Sequence, residues 1–357
     1  MRVAILGTGL IGTSIGLAAR GWLDAEVAGH DPDPSALVAA AGRGAVEPAG
    51  SLEGAAAAAD LAFVCAPVAA IPGAAAAALE AGARVVTDAG SVKAGIVAAV
   101  EELAGGGAGR FMGGHPMTGS ERSGPAGAAA GLIDGAAWAL TPTDRTDPAA
   151  LASVEDAVRR MGAVPVTLSP DRHDRLVGLV SHLPQVASTA LMSTVASSAD
   201  ETAPLLAAGG LRDLTRLAAS SPELWVDILL ANREAVAEAI EGYGDRLRSL
   251  AAMLQAGDAE GLTEAFARAK DARLGLAARP QSRVGLAILT VPIPDRPGSL
   301  AEITGALAHR SVNIEDLEIV HSAEGARGTA HVTVGEADAE AAVQALTSSG
   351  HEAARLA

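Results

Sequence analysis

Cysteine is almost missing from this 357-residue chain, and aromatic residues make up only 2% of it. The single cysteine, Cys65, excludes an internal disulfide; lying in the apolar run 61–66, it reads as a buried strand thiol rather than a nucleophile. With so few aromatics, the core must be built from small and branched aliphatic side chains. Positive charge is also scarce, 26 Lys and Arg against 42 Asp and Glu, for a net −16. That balance excludes non-specific binding to nucleic-acid backbones or anionic membranes, and an anionic substrate would need cations of its own close by. No apolar run approaches the ~20 residues that span a bilayer. The chain enters a strand directly after Met1, leaving no room for a signal peptide, so a cytoplasmic protein is expected.

What is present falls into three stretches. Short apolar runs at 2–6, 26–30, 61–65, 83–87 and 136–141 alternate with Ala-rich helical stretches, and 164–168 adds a last strand. This alternation predicts an α/β, Rossmann-like, doubly wound parallel sheet over residues 1–169. From 170 to 280 the apolar positions keep helical spacing, as in Val236, Ile240, Tyr243 and Leu247. An all-helical domain is expected there, carrying by analogy the substrate wall and a homodimer interface. Residues 278–282 read as a linker. The third stretch, 285–357, reads βαββαβ, the ferredoxin-like split motif.

Two features mark the first stretch as a dinucleotide site. Gly7-Thr8-Gly9-Leu10-Ile11-Gly12 follows the first strand and opens a helix. Its glycines serve a tight turn, the approach of backbone amides to a pyrophosphate, and close helix–strand packing. Asp31, 24 positions after Gly7, ends the second strand, where a carboxylate accepts hydrogen bonds from ribose hydroxyls and repels a 2′-phosphate. No Arg or Lys lies within 32–38, so NAD is the expected cofactor. No metal is expected.

The segment Gly113-Gly114-His115-Pro116-Met117-Thr118-Gly119-Ser120-Glu121 has glycines and a proline that argue for a loop, yet it carries polar side chains suited to catalysis. Ser91, in Asp88-Ala89-Gly90-Ser91-Val92-Lys93, is expected on the same carboxyl edge of the sheet. In the helical stretch stand Ser181-His182-Leu183-Pro184-Gln185 and Arg212-Asp213-Leu214-Thr215-Arg216. Arg212 and Arg216, four apart, are expected to share a helix face, and an arginine fork suits a carboxylate.

Taken in order, Gly7–Ser14, Asp88–Lys93, Gly114–Glu121, Ser181–Pro184 and Asp213–Arg216 resemble the motifs of the prephenate/arogenate dehydrogenases of tyrosine biosynthesis. Asp295-Arg296-Pro297-Gly298-Ser299-Leu300 and Val312-Asn313-Ile314 resemble an ACT domain. The resemblance implies NAD-dependent oxidative decarboxylation of prephenate to 4-hydroxyphenylpyruvate. His115 is then the general base and Ser91 its partner at the substrate hydroxyl. Arg216 holds a substrate carboxylate along a wall with Ser181 and His182, and Glu121 and Asp213 form an ionic gate with that arginine. Trp225 corresponds to a family aromatic near the pocket, or to a core tryptophan. Asp295, Arg296, Gly298 and Asn313 mark a regulatory amino-acid site, with tyrosine as the expected effector.

One position departs from the pattern: Gln185 stands where many family members have a histidine, which brings arogenate forward as an alternative substrate. Two further readings compete with this one. A non-catalytic NAD and amino-acid sensor would use the same folds. A β-hydroxyacid dehydrogenase would need a Gly-x-x-Gly-x-x-x-Lys helix that the chain lacks.

Overall fold

The computed structural model describes residues 1–118, 124–198, 202, 206–277, 286–294, 296–310, 312–321 and 327–356. They divide into two compact units, Met1–Ser249 and Leu250–Ala357. The expected linker at 278–282 lies outside the described residues.

The first unit is built on an eight-stranded sheet: β1 (Arg2–Leu6), β2 (Glu26–His30), β3 (Glu47–Pro48), β4 (Leu61–Val64), β5 (Val85–Asp88), β6 (Phe111–Pro116), β7 (Ala137–Thr141) and β8 (Val164–Thr167). Their order is β3-β2-β1-β4-β5-β6-β7-β8, which contains the doubly wound order with its switch point between β1 and β4. All pairings are parallel except β6 with β7. Small aliphatics fill both faces, with Ile5, Ile15 and Leu61 on one and Leu6, Val64, Ile71 and Val86 on the other. Phe63 and Trp138 meet edge to face at 6.0 Å within the first cluster.

Helix starts follow a repeated device in which an oxygen-bearing cap precedes a proline. Asp33-Pro34, Asp147-Pro148, Ser169-Pro170 and Ser221-Pro222 each open a helix. The cap oxygen accepts from the amide of Ser35, Ala149, Arg172 or Leu224 respectively. Proline suits the first turn because the N–H it lacks would have no partner there. After β8 the unit is helical: Pro170–Val177, a wide π turn at Gly178–His182, then Leu183–Ala196, Gly209–Thr215, Pro222–Ala231 and the start of Arg233–Ala256, a helix whose last residues belong to the second unit. Pro184 cannot donate to the carbonyl four residues back, and the widened turn just before it takes up that fault.

The structure corrects one expectation. Gly113, Gly114, His115 and Pro116 are not loop but the end of β6. The glycines are there because the strand is hemmed in. A Cβ on Gly114 would stand 2.6 Å from the Asp88 carbonyl oxygen, and one on Gly113 would stand 2.4 Å from Thr141 Oγ1.

The second unit contains the helix Ala259–Ala277 and a four-stranded antiparallel sheet ordered β10-β11-β9-β12. Its strands are β9 (Leu286–Pro294), β10 (Ile314–His321), β11 (Arg327–Gly335) and β12 (Ala354–Arg355), with helices Ser299–Ala308 and Ala339–Ser348 between them. This is the βαββαβ order read from the sequence. Its core holds Leu289, Val291, Ile303, Leu307, Val332 and Leu346.

One ion pair pins the carboxyl edge of the large sheet. Lys93 and Asp88 are both fully buried and paired with each other. Asp88 also accepts from the amides of Gly90 (2.9 Å) and Gly114 (3.0 Å), and Lys93 donates to the Gly114 carbonyl at 2.8 Å. Burial pulls the Lys93 ammonium below its usual range, with Asp88 opposing that shift. Lys93→Met would leave a buried carboxylate without its cation, and should lower stability by about 3–5 kcal/mol. Chemical denaturation measures this, and Asp88→Leu combined with Lys93→Met should recover part of the loss.

Candidate active site

The nucleotide end forms at the turn after β1. Gly7 adopts φ +101, and a Cβ there would stand 2.3 Å from the Cys65 carbonyl oxygen. Gly12 lies so close to Gly7 that a Cβ would stand 1.9 Å from the Gly7 oxygen, while Gly9 faces open space. The helix Leu10–Leu23 begins after Gly9 with no side-chain cap, so the amides of Leu10, Ile11 and Gly12 are left for an anion. Asp31 is held ready by Thr8, whose amide and hydroxyl donate to Oδ2 at 2.6 and 3.1 Å, and by the Asp33 amide at 2.9 Å. The next basic residue along, Arg43, is spent on the carbonyls of Ala126 and Ala128. These residues fit an NAD pyrophosphate and ribose, and no described cation near Asp31 in sequence awaits a 2′-phosphate. Cys65 takes no part, since burial pushes its thiol up.

Further along the same edge, β6 runs parallel to β5 and carries His115 at its end. Ser91 follows β5 on the neighbouring turn, half-buried. His115 Nδ1 lies 2.8 Å from His173 Nε2, and His173 Nδ1 lies 2.7 Å from Asp174 Oδ1. Asp174 is tied down in turn: its carboxylate accepts from the amides of Lys93 (2.7 Å) and Ala94 (2.8 Å), and its carbonyl accepts from Asn232 Nδ2 at 2.8 Å. Burial, and then His173, Lys93 and His182, hold the His115 imidazole well below the ordinary histidine range. It is therefore neutral near pH 7.

The helical wall carries His182, Gln185 and Ser188 on its buried side. The Asn232 amide donates to His182 Nδ1 at 3.1 Å, which leaves the His182 proton on Nε2. Burial pushes its pKa down to about 4, and its ring meets Trp225 edge-on at 6.0 Å. Trp225, half-buried, also packs against the core of the sheet. Ser181 is half-buried on the π turn. Gln185 Nε2 donates to the Leu217 carbonyl at 2.9 Å, while its buried Oε1 has no partner among the described residues. Ser188 accepts from the Ala218 amide, so this wall grips the segment that bears Arg216.

Arg212, Asp213 and Arg216 are exposed, and no ion pair joins Arg216 to Asp213. The α-helix ends at Thr215 and Arg216 opens a 3₁₀ turn, so the two arginines do not continue one regular helix face. Glu121 lies outside the described residues, as does Asp295. In the second unit, a cavity of about 230 Å³ is lined by Ile293, Arg296, Gly298, Ser299 and Ile319. Gly298 has φ +97 at the start of its helix, and Arg296 pairs with Glu302 at 3.2 Å. Asn313 turns instead to Glu315 at 2.8 Å.

His173, Asp174 and Asn232 were not singled out from the sequence. The only signal was His173-Asp174 in the first turn of a capped helix, a setting in which polar residues are usually solvated.

Asp31→Ser combined with Pro32→Arg removes the ribose acceptor and supplies a cation for a 2′-phosphate. It should move the preference from NAD⁺ towards NADP⁺ by at least tenfold in kcat/KM, measured with both cofactors. Unchanged selectivity would remove Asp31 from the cofactor site.

Comparisons with known proteins agree with this layout. The prephenate dehydrogenase nucleotide-binding domain matches residues 15–167, the prephenate dehydrogenase dimerization domain 169–268, and the ACT domain 287–350. The prephenate dehydrogenase of Bacillus subtilis is 34% identical over 228 residues, 63% of this chain and 61% of that protein. That of Lactococcus lactis is 30% identical over 336 residues, 90% of this chain and 91% of that protein. Among solved structures, prephenate dehydrogenase from Aquifex aeolicus, in complex with hydroxyphenyl propionate and NAD⁺, superposes with TM-score 0.72 at 32% identity. It covers 77% of this chain and 98% of its own. Synechocystis arogenate dehydrogenase superposes with TM-score 0.68 at 28% identity, over 77% of this chain and 100% of its own. The chain belongs to the prephenate dehydrogenase family of NAD-dependent oxidoreductases.

Proposed function

We propose that this chain oxidises prephenate with NAD⁺, releasing CO₂ and 4-hydroxyphenylpyruvate. The observation that carries the reading is the neutral, half-buried imidazole of His115, bonded to His173 and held at the carboxyl edge that also bears the Gly7–Gly12 turn. Bound NAD⁺ supplies the hydride acceptor. The backbone amides of Leu10, Ile11 and Gly12 hold its pyrophosphate and Asp31 its ribose. His115 takes the proton of the C4 hydroxyl, and Ser91 hydrogen-bonds the same oxygen. Arg216, exposed and without an ion-pair partner among the described residues, grips a substrate carboxylate, with Ser181, His182 and Gln185 on the same wall; Glu121 and Asp213 match the family's acidic residues that gate with that arginine. Loss of the ring carboxylate makes the ring aromatic, so the protein needs chiefly to orient the substrate and manage one proton.

One observation favours a second reading. Because its Nε2 bonds Leu217, Gln185 presents an oxygen, an acceptor with no donor among the described residues. An ammonium satisfies such an oxygen and a keto group does not, so arogenate is the rival substrate. A non-catalytic sensor would leave the neutral histidine without a use.

Apolar side chains exposed on the helices, including Leu224, Leu230, Ile240 and Leu247, support assembly as a homodimer. No described helix is long and apolar enough to cross a membrane; a cytoplasmic location is part of the proposal. The cavity beside Arg296 and Gly298, with Asp295 and Asn313 near it in sequence, is proposed as the site where tyrosine binds and lowers activity.

NADH formation with prephenate and with arogenate tests the reading, and neither substrate reducing NAD⁺ would overturn it. His115→Asn should lower kcat by roughly 10²–10⁴-fold with NAD⁺ affinity intact. Since the wild-type base stays neutral below the usual histidine value, kcat/KM should hold level as pH falls through ~6.5 and drop only in stronger acid. Removing residues 286–357 should abolish inhibition by tyrosine in an enzyme that still turns over. Inhibition that persists would place tyrosine in the active site as a product analogue.

A further inference from the structure

A histidine base is useful only if the correct nitrogen is bare. Which nitrogen of His115 carries its proton is decided by the chain of groups behind it. Asp174 receives backbone N–H bonds from Lys93 and Ala94, as a carboxylate does, so the hydrogen between it and His173 belongs to His173 Nδ1. An imidazole whose single hydrogen is on Nδ1 has a bare Nε2. Accepting across the 2.8 Å to His115 Nδ1, that nitrogen assigns the His115 proton to Nδ1. Its Nε2 is left bare on the other edge of the ring. The Asn232 amide, which donates to the Asp174 carbonyl and to His182, braces the residue that starts this chain of bonds.

We propose that His173 and Asp174 are positioning residues that fix the tautomer of His115 and share the charge it gains during the reaction. The inference rests on the dehydrogenase reading of the site. The proton balance is closed. The C4 oxygen gives its proton to His115 Nε2 as hydride leaves C4 with its electron pair. The His115 Nδ1 proton moves towards His173 Nε2, so the positive charge spreads to the imidazole bound to Asp174. The bond from the ring to its carboxylate then breaks, its electrons enter the ring, and the phenolate oxygen at C4 recovers the proton from His115. One proton is borrowed and returned to the same oxygen, and none is released overall. Such a proton needs a holding place rather than an exit, and a buried pair ending in a carboxylate is one. The groups facing His115 in charge are His173, Lys93 and His182, with Asp88 beside Lys93. Without Asp174 this set would be wholly cationic or neutral on the helical side.

The test uses the full-length enzyme with ¹⁵N-labelled histidine and two variants. In Asp174→Asn an amide nitrogen at the Oδ1 position, which gives up the bond from the Lys93 amide, donates to His173 Nδ1, moves the His173 proton to Nε2 and puts His115 in the opposite tautomer. His173→Gln keeps an acceptor for His115 Nδ1–H but cannot take a proton. NMR of the wild type should show His115 protonated at Nδ1 and bare at Nε2. It should show the reverse in Asp174→Asn and the wild-type form in His173→Gln. In steady-state assays kcat should fall by roughly 10³–10⁴-fold in Asp174→Asn and by a smaller factor in His173→Gln, with KM and NAD⁺ affinity unchanged in both.

The same His115 tautomer in wild type and Asp174→Asn would overturn the proposal. So would kcat within threefold of wild type, or a loss that tracks a lowered Tm and weaker NAD⁺ binding. Failure of the dehydrogenase reading is distinguished by the wild type itself, which would then oxidise neither substrate.

Discussion

The carboxylate of Asp88 is the constraint on which the rest of the site depends. It ends β5, pairs with Lys93, and accepts the amide of Gly114, one residue before His115. Lys93 closes the loop through the Gly114 carbonyl, and its own amide reaches Asp174. A single buried ion pair thus ties the strand that bears the base to the helix that orients it. Burying two charges is costly, and hydrophobic replacements often pack as stably. The pair is better understood as fixing geometry, because no apolar pair could bond two neighbouring strands and the head of a helix at once.

That geometry sits in a strongly acidic protein. At net −16 the long-range field repels anions, so recognition has to come from local donors: on the proposed reading Arg216 serves the substrate and the amides at the start of the helix Leu10–Leu23 serve the cofactor. The same demand explains why the base is a histidine kept neutral by burial. A charged imidazole would attract the substrate and be unable to accept its proton. On the proposed reading Asp174 eases that conflict from behind, its fixed negative charge lying one imidazole away from the positive charge that His115 gains.

Much of this was legible in the sequence, for identifiable reasons. Strand–helix alternation, the glycine turn at Gly7–Gly12, Asp31 and the βαββαβ tail are local patterns, and local patterns survive in a one-dimensional reading. The end of β6 was misread because Gly-Gly-His-Pro looks like a loop. Its glycines answer instead to crowding by Asp88, Thr87 and Thr141, contacts set by strands distant in the chain. His173 and Asp174 were overlooked for a related reason. Side by side near a helix start they look solvated, and only the packing of that helix against the residues after β5 makes them part of the site. The wide turn at Gly178–His182 was equally hidden, although Pro184 was a clue to it.

The central claim is that the bare Nε2 of His115 meets the oxygen at which hydride loss and aromatisation begin. A crystal structure with NAD⁺ and a hydroxyphenyl product analogue measures this directly. The account predicts His115 Nε2 within hydrogen-bond distance of the phenol oxygen, with Nδ1 still bound to His173. A phenol oxygen held elsewhere, with the His115 ring turned away from the nicotinamide, would contradict it.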